Sequence, residues 1–261
     1  MPSLSPEWAY WALVNGVLGS GLVFALLIPA LRKQYPWTVA HTQSAIFLVT
    51  GFLMRGAIFG HIVVAANWGQ IRWIVLGTTV YGLILLAASM IYGDLFHWKR
   101  FLAIMWFILY LEEPVWMLTL VPNSEALVAA SGVLALPGDP LNSLLIAVLW
   151  IQAAVLAIAG LPLLFDWNTE KIWPWRPDRV SGMVISGFPI GWALWSATLA
   201  GLPWPEAKIG LQINLVWLAL VFLSLLIFRR TFDFSLRSTR VFTAVSGLLL
   251  LGVAVGYLVQ T

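Results

Sequence analysis

Phe101–Pro122 reads FLAIMWFILYLEEPVWMLTLVP. It is long and apolar enough to cross a bilayer core, which takes about 20 such residues in a helix. Yet its middle holds two adjacent carboxylates, Glu112 and Glu113. A second stretch, His41–Asn67, carries Arg55 and His61 in the same way. An ionisable group in hydrocarbon costs several kcal/mol, so such groups are kept for function or for a fixed pair. The chain reads as a polytopic membrane protein with a polar centre.

The composition around that stretch agrees. Of 261 residues, 61% are hydrophobic and 10% charged, against about 25% charged in a soluble domain. Cysteine is absent. That excludes disulfides and thiolate-held iron–sulfur clusters in this chain, so any such centre belongs to a partner. The net charge of +3 comes from basic residues scattered in short loops and gives no footprint for nucleic acid. Met1–Trp8 contains no Lys or Arg. A cleaved signal peptide needs a basic start, so the first helix is expected to stay in the mature protein.

The bilayer ruler gives eight spans, at roughly 8–31, 38–66, 73–93, 101–122, 141–165, 180–203, 209–228 and 241–259. The expected fold class is all-α: one integral membrane domain of eight transmembrane helices. Helices one to four cover about 8–122 and helices five to eight about 141–259. An outer loop, 123–140, carries Pro137, Gly138, Asp139 and Pro140 and divides two four-helix bundles. Loops after odd spans hold Arg32, Lys33, Lys99, Arg100, Lys171, Arg176, Arg179, Arg229, Arg230, Arg237 and Arg240; the other side holds Arg72 and Lys208. The positive-inside rule puts the basic loops in the cytoplasm and both termini outside, in a cell inner (plasma) membrane. Trp8, Trp11, Trp37, Trp68, Trp73, Trp98, Trp167, Trp173, Trp175 and Trp204 fall near span ends, as in an interfacial aromatic belt.

Helical rise sets depth. Counted from the outer end of each span, Asn15 lies roughly 10 Å down, His61 roughly 9 Å, Glu112 and Glu113 roughly 14–15 Å, and Arg55 roughly 18 Å. These residues can share one cavity if their helices are neighbours. Adjacent helical residues point about 100° apart, so only one glutamate can face Arg55 squarely. Two carboxylates and one arginine leave a net negative charge, so one carboxyl, Glu112 in this reading, is expected to hold a proton. Pro114 removes a backbone N–H beside them, and a kink there opens space. The bland alternative is an Arg–Glu pair that only fixes helix register.

Three functions suit such a centre. In the first, Asn15 and His61 hydrogen-bond a quinone, Glu112 and Glu113 carry protons, and Arg55 tunes them. The second is a proton-coupled small-solute transporter or channel with Arg55, Glu112 and Glu113 at the midplane. The third is an intramembrane lipid or isoprenoid enzyme using a protonated glutamate as acid. His41 and His97 could ligate a haem axially. Both lie near the basic side, away from the outer cluster, and no haem or metal is expected. HExxH, Walker and GxSxG motifs do not occur. The glutamate pair also differs from CAAX-type intramembrane proteases, which need an arginine where Met117 stands and two later histidines; none follows His97.

Several stretches resemble the membrane-anchor subunits of the polysulfide reductase type, the NrfD-like family. The first helix has Glu7-Trp8 and then Leu13-Val14-Asn15-Gly16-Val17-Leu18-Gly19-Ser20-Gly21. The fifth opens on Pro140-Leu141-Asn142-Ser143, without the family's tryptophan, and the loop Pro203-Trp204-Pro205-Glu206-Ala207-Lys208 is also similar. The family's arginine–glycine–glutamine ending is replaced by Gly256-Tyr257-Leu258-Val259-Gln260. The resemblance spans nearly the whole chain. It implies a quinone-reactive subunit of a respiratory-type redox complex without a cofactor of its own. Such a subunit exchanges electrons with a partner iron–sulfur subunit beside a catalytic subunit, with proton transfer through buried acids.

Overall fold

Long apolar runs leave each segment one way to satisfy its backbone in hydrocarbon, which is an α-helix. The computed structural model describes residues 6–64, 68–131, 138–167 and 169–261; for 6–9, 29, 64, 68, 119–131 and 170 it describes the backbone alone. Among the described residues, eight helices are long and apolar enough to cross a membrane. They are α1 (Pro6–Leu27), α2 (Thr42–Val64), α3 (Arg72–Ile91), α4 (Phe101–Ser131), α5 (Ser143–Leu164), α6 (Arg179–Ala200), α7 (Trp204–Ile227) and α8 (Arg237–Gln260). The protein is an all-α polytopic membrane protein. Local chemistry sets several starts. Asn142 caps α5 by accepting the Leu145 N–H at 2.8 Å, and Asp178 caps α6 by accepting the Ser181 N–H at 2.9 Å.

One boundary differs from the sequence reading. The fourth helix does not stop at Pro122 but runs on to Ser131. Ala126-Leu127-Val128-Ala129-Ala130 are helix-compatible and propagate it, led by alanine. The expected loop 123–140 is therefore helical in its first half, and its part at 132–137 lies outside the described residues.

The helices run alternately up and down. Within the first four, α1 packs on α2 and α3 on α4; within the last four, α5 packs on α6 and α8, and α7 on α8. The two groups are joined, chiefly by α3 along α6 and by α2 along α7. The α3–α6 crossing is set by glycine. A Cβ on Gly77 would stand 2.6 Å from the Gly191 carbonyl oxygen and 2.4 Å from the Trp195 ring. Small residues at such a crossing let helix backbones approach closely in a membrane.

The two ends are tied differently. At the basic end, Trp37 Nε1 donates to Ser181 Oγ at 3.0 Å and Trp175 Nε1 to Ser44 Oγ at 2.9 Å. At the opposite end Arg72 donates from Nε and Nη2 to Glu206 Oε2 at 2.7 and 2.6 Å. The tryptophans correct the belt reading. Trp11, Trp37, Trp73, Trp173 and Trp175 are buried. Trp73 donates to the Gln70 carbonyl and Trp173 to the Ala159 carbonyl. These indoles sit near span ends but point inward, and Trp37, Trp73, Trp173 and Trp175 tie connectors to helices; Trp98 and Trp167 do face outward. The side chains of Trp8 and Trp68 lie outside the described residues.

Candidate functional site

Three of the polar residues singled out in the sequence meet. α1 supplies Asn15, α2 supplies Arg55 and α4 supplies Glu113, all buried. Arg55 Nη2 donates to Glu113 Oε2 at 2.6 Å and to Asn15 Oδ1 at 2.7 Å, and Nη1 donates to the Asn15 carbonyl at 3.1 Å. Asn15 Nδ2 donates in turn to the Trp11 carbonyl at 3.0 Å. Charge-assisted bonds of this length are the strong kind. Among the described residues, Glu113 Oε1 and Arg55 Nε have no hydrogen-bond partner.

Helical spacing explains the fit. Gly19 lies one turn beyond Asn15, and a Cβ there would stand 3.1 Å from Arg55 Nη1, so glycine leaves room for the guanidinium. The guanidinium carbon lies 4.5 Å from the Phe59 ring centroid and 5.2 Å from that of Tyr110. Phe59 is four residues on from Arg55 and Tyr110 three before Glu113, so each ring shares a helix face with a member of the pair. The Tyr110 hydroxyl lies 3.1 Å from that of Tyr81 on α3. Pro114 does not break α4. Its ring packs on α3, where a Cβ on Gly82 would be 3.1 Å from Pro114 Cγ. On the side facing α3 this contact leaves no space beside Pro114, and α4 is seated by it.

Glu112 goes elsewhere. Its side chain is exposed on the perimeter of the bundle. It lines a groove of about 500 Å³ between α1 and α4 with Tyr10, Trp11, Val14, Val115 and Trp116. Trp11 separates this groove from the buried pair: it packs on Trp116 at 5.9 Å and on Phe59 at 5.2 Å between ring centroids. His61 is buried near the end of α2, with Nε2 3.2 Å from the Gln70 carbonyl, and so faces the α2–α3 connection rather than the pair. His41 is exposed at the opening of α2. His97 Nε2 lies 3.2 Å from Thr38 Oγ1. Partial burial and the neighbouring Arg100 push His97 below the ordinary histidine range.

A second polar centre was not singled out in the sequence. Gln152 on α5 and Asn214 on α7 exchange amide bonds at 2.8 and 3.1 Å, and Trp192 Nε1 donates to Asn214 Oδ1 at 2.6 Å. All three are buried. The signal was present, since each amide is a polar residue inside an apolar span, but apart from Asn15 the reading weighed only ionisable groups. Asn142 and Gln260, two residues at positions the resemblance singled out, also meet. The Asn142 backbone N–H donates to Gln260 Oε1 at 2.5 Å, and Asn142 Nδ2 to the Gly256 carbonyl at 2.9 Å. They tie α5 to α8. Comparison with protein-family models, with curated proteins and with solved structures finds no match.

Proposed function

We propose that the chain is a quinone-reactive membrane subunit of a redox complex, related to the polysulfide reductase-type anchors. The observation that carries this reading is the position of Glu112. A carboxyl opens onto the bilayer side of an aromatic-walled groove, and its neighbour in sequence is half of a buried ion pair. A lipid-soluble carrier can reach such a group from the membrane without a water channel. Tyr10, Trp11 and Trp116 offer faces for a planar head group. Asn15 has its carbonyl, Oδ1 and Nδ2 all engaged within the protein. We therefore assign it to holding Arg55 rather than to binding the quinone, and His61, turned to the Gln70 carbonyl, is assigned no direct contact.

In this reading a quinol in the groove gives up two protons and two electrons. Glu112 in its ionised form takes one of the protons, and Glu113, the carboxylate held by Arg55, is the inner acceptor for the other. The electrons pass to an iron–sulfur subunit, since this chain has no cysteine to hold a cluster. The basic loops face the cytoplasm and the groove lies in the outer half of the inner membrane. The test is quinol turnover by the purified complex carrying Glu112→Gln. We expect turnover to fall at least tenfold while the complex stays assembled. Unchanged turnover removes Glu112 from the mechanism. Solute uptake by the chain alone in liposomes supports the transporter reading instead.

A further inference from the structure

At the basic end of the second four helices lies a cavity of about 180 Å³. Its walls include Ala159, Trp173, Trp217, Phe242, Val245 and Leu249. Polar atoms on the wall are spent internally: Trp173 Nε1 donates to the Ala159 carbonyl at 2.7 Å and Ser246 Oγ to the Phe242 carbonyl at 2.8 Å. Apolar cavities of roughly 150 Å³ stay dry and take up hydrocarbon the size of benzene. The cavity opens sideways: Ile158 on α5 and Val241 on α8 line it and are 63% and 51% exposed, toward the bilayer.

The rim at the basic end is charged. Lys171 directly precedes Ile172, and Arg240 directly precedes Val241; both neighbours line the cavity. Arg237 lies one turn before Val241. The short helix Thr169–Ile172 packs against α8, which brings the segment bearing Lys171 beside the helix that carries Arg237 and Arg240. All three are exposed and form no ion pair among the described residues. Of the described acids nearby, Asp166 is paired with Arg179 at 3.6 Å, and Asp233 accepts from the Ser235 N–H and hydroxyl.

We propose that this is a binding site for an anionic phospholipid. One acyl chain enters the cavity between α5 and α8, and the phosphate rests on Lys171, Arg237 and Arg240. Chain and charge are read by separate parts of the site, and a basic pocket between helices at the cationic end of a membrane protein is suited to such a head group. The site is far along the bundle from the Glu112 groove and does not depend on the quinone reading.

The test is native mass spectrometry of the full chain in detergent, titrated with phosphatidylglycerol or phosphatidylcholine. Phosphatidylglycerol should bind at least tenfold more tightly. Lys171→Gln and Arg240→Gln should each weaken it roughly fivefold, as a basic residue near the surface commonly contributes. These are surface changes that leave the helices intact. Val245→Phe should fill the cavity and weaken both lipids while the charge preference remains. Equal affinity for the two lipids, or a preference unchanged in the double charge variant, overturns the proposal. Thermal stabilisation by inorganic phosphate equal to that by the lipid also overturns it, because the chain would then contribute nothing.

Discussion

The Arg55–Glu113 pair makes an unusually sharp demand on two neighbouring glutamates. Glu113 is 0% exposed and Arg55 4%, and they meet at 2.6 Å. Removing one partner of a buried pair leaves a desolvated charge and costs about 3–5 kcal/mol, whereas replacing both by apolar side chains is often nearly neutral. Glu113→Leu and Arg55→Met should therefore each lower stability by about that amount. The double variant should recover much of the loss, giving a coupling energy of about 2 kcal/mol or more. Two bonds from Arg55 to Asn15 are lost along with the pair, at about 1 kcal/mol or more each, so recovery should be incomplete. Glu112→Leu should behave in the opposite way, since it removes a carboxyl that faces the bilayer; its effect should be neutral or stabilising. The assay is reversible denaturant unfolding of the chain in mixed micelles, with all four variants in one series. Additive single-variant losses, or a loss from Glu112→Leu equal to that from Glu113→Leu, would refute the geometry.

Three further outcomes follow from particular contacts. Gly77→Val should cost about 1–3 kcal/mol or more by overpacking, because its Cβ meets Gly191 backbone and the Trp195 ring; Gly21→Val, where nothing lies within 4 Å, is the control, and thermal unfolding in detergent compares them. Asn214→Leu should leave the Gln152 amide and the Trp192 N–H buried without partners, at about 1–3 kcal/mol each, and the same melt reads it. His97 titrates below its ordinary value of 6.5 in the folded chain, through desolvation first and Arg100 second. The unfolded chain then binds more protons just below that pH, so this contribution is full above pH 6.5 and declines as pH falls beneath it. His97→Asn should flatten that limb of a stability–pH curve.

Much of this architecture was legible because hydrocarbon permits so few choices. A run of about 20 apolar residues can only be a helix, and the eight spans appear close to where the ruler puts them. The exception is instructive. Pro122 is a strong stop in water, but the alanine-rich segment beyond it carries α4 to Ser131. Depth was legible for the same reason. Helical rise placed Asn15, Arg55 and Glu113 at depths within about 8 Å of one another, and they meet. Facing was not legible. One residue of rotation about α4 separates a 0% exposed carboxylate from one on the perimeter, and the hydrophobic pattern around them is too uniform to choose. The tryptophans failed on facing too: an indole at a span end has the same sequence context whether it turns to the interface or into the bundle.

The two polar centres also show why charge was a better guide than polarity alone. Arg55 and Glu113 join α2 to α4 within the first four helices, with Asn15 completing the contact from α1. Gln152, Asn214 and Trp192 join α5, α6 and α7 within the last four. Each group of helices thus has a buried polar network that can fix its register, a role polar side chains take where lipid and protein are equally apolar. The amide centre is closed: the Gln152 and Asn214 amides bond each other in both directions and Trp192 Nε1 donates to Asn214 Oδ1, so it is a structural clasp. The ionic centre differs in having Glu113 Oε1 and Arg55 Nε without partners among the described residues, and in adjoining a second acid that opens to the bilayer. A clasp needs neither feature. That difference favours chemistry at the first centre over a purely structural pair, and it is what the Glu112→Gln and Glu113→Leu variants separate: loss of turnover without loss of stability at one position, loss of stability at the other.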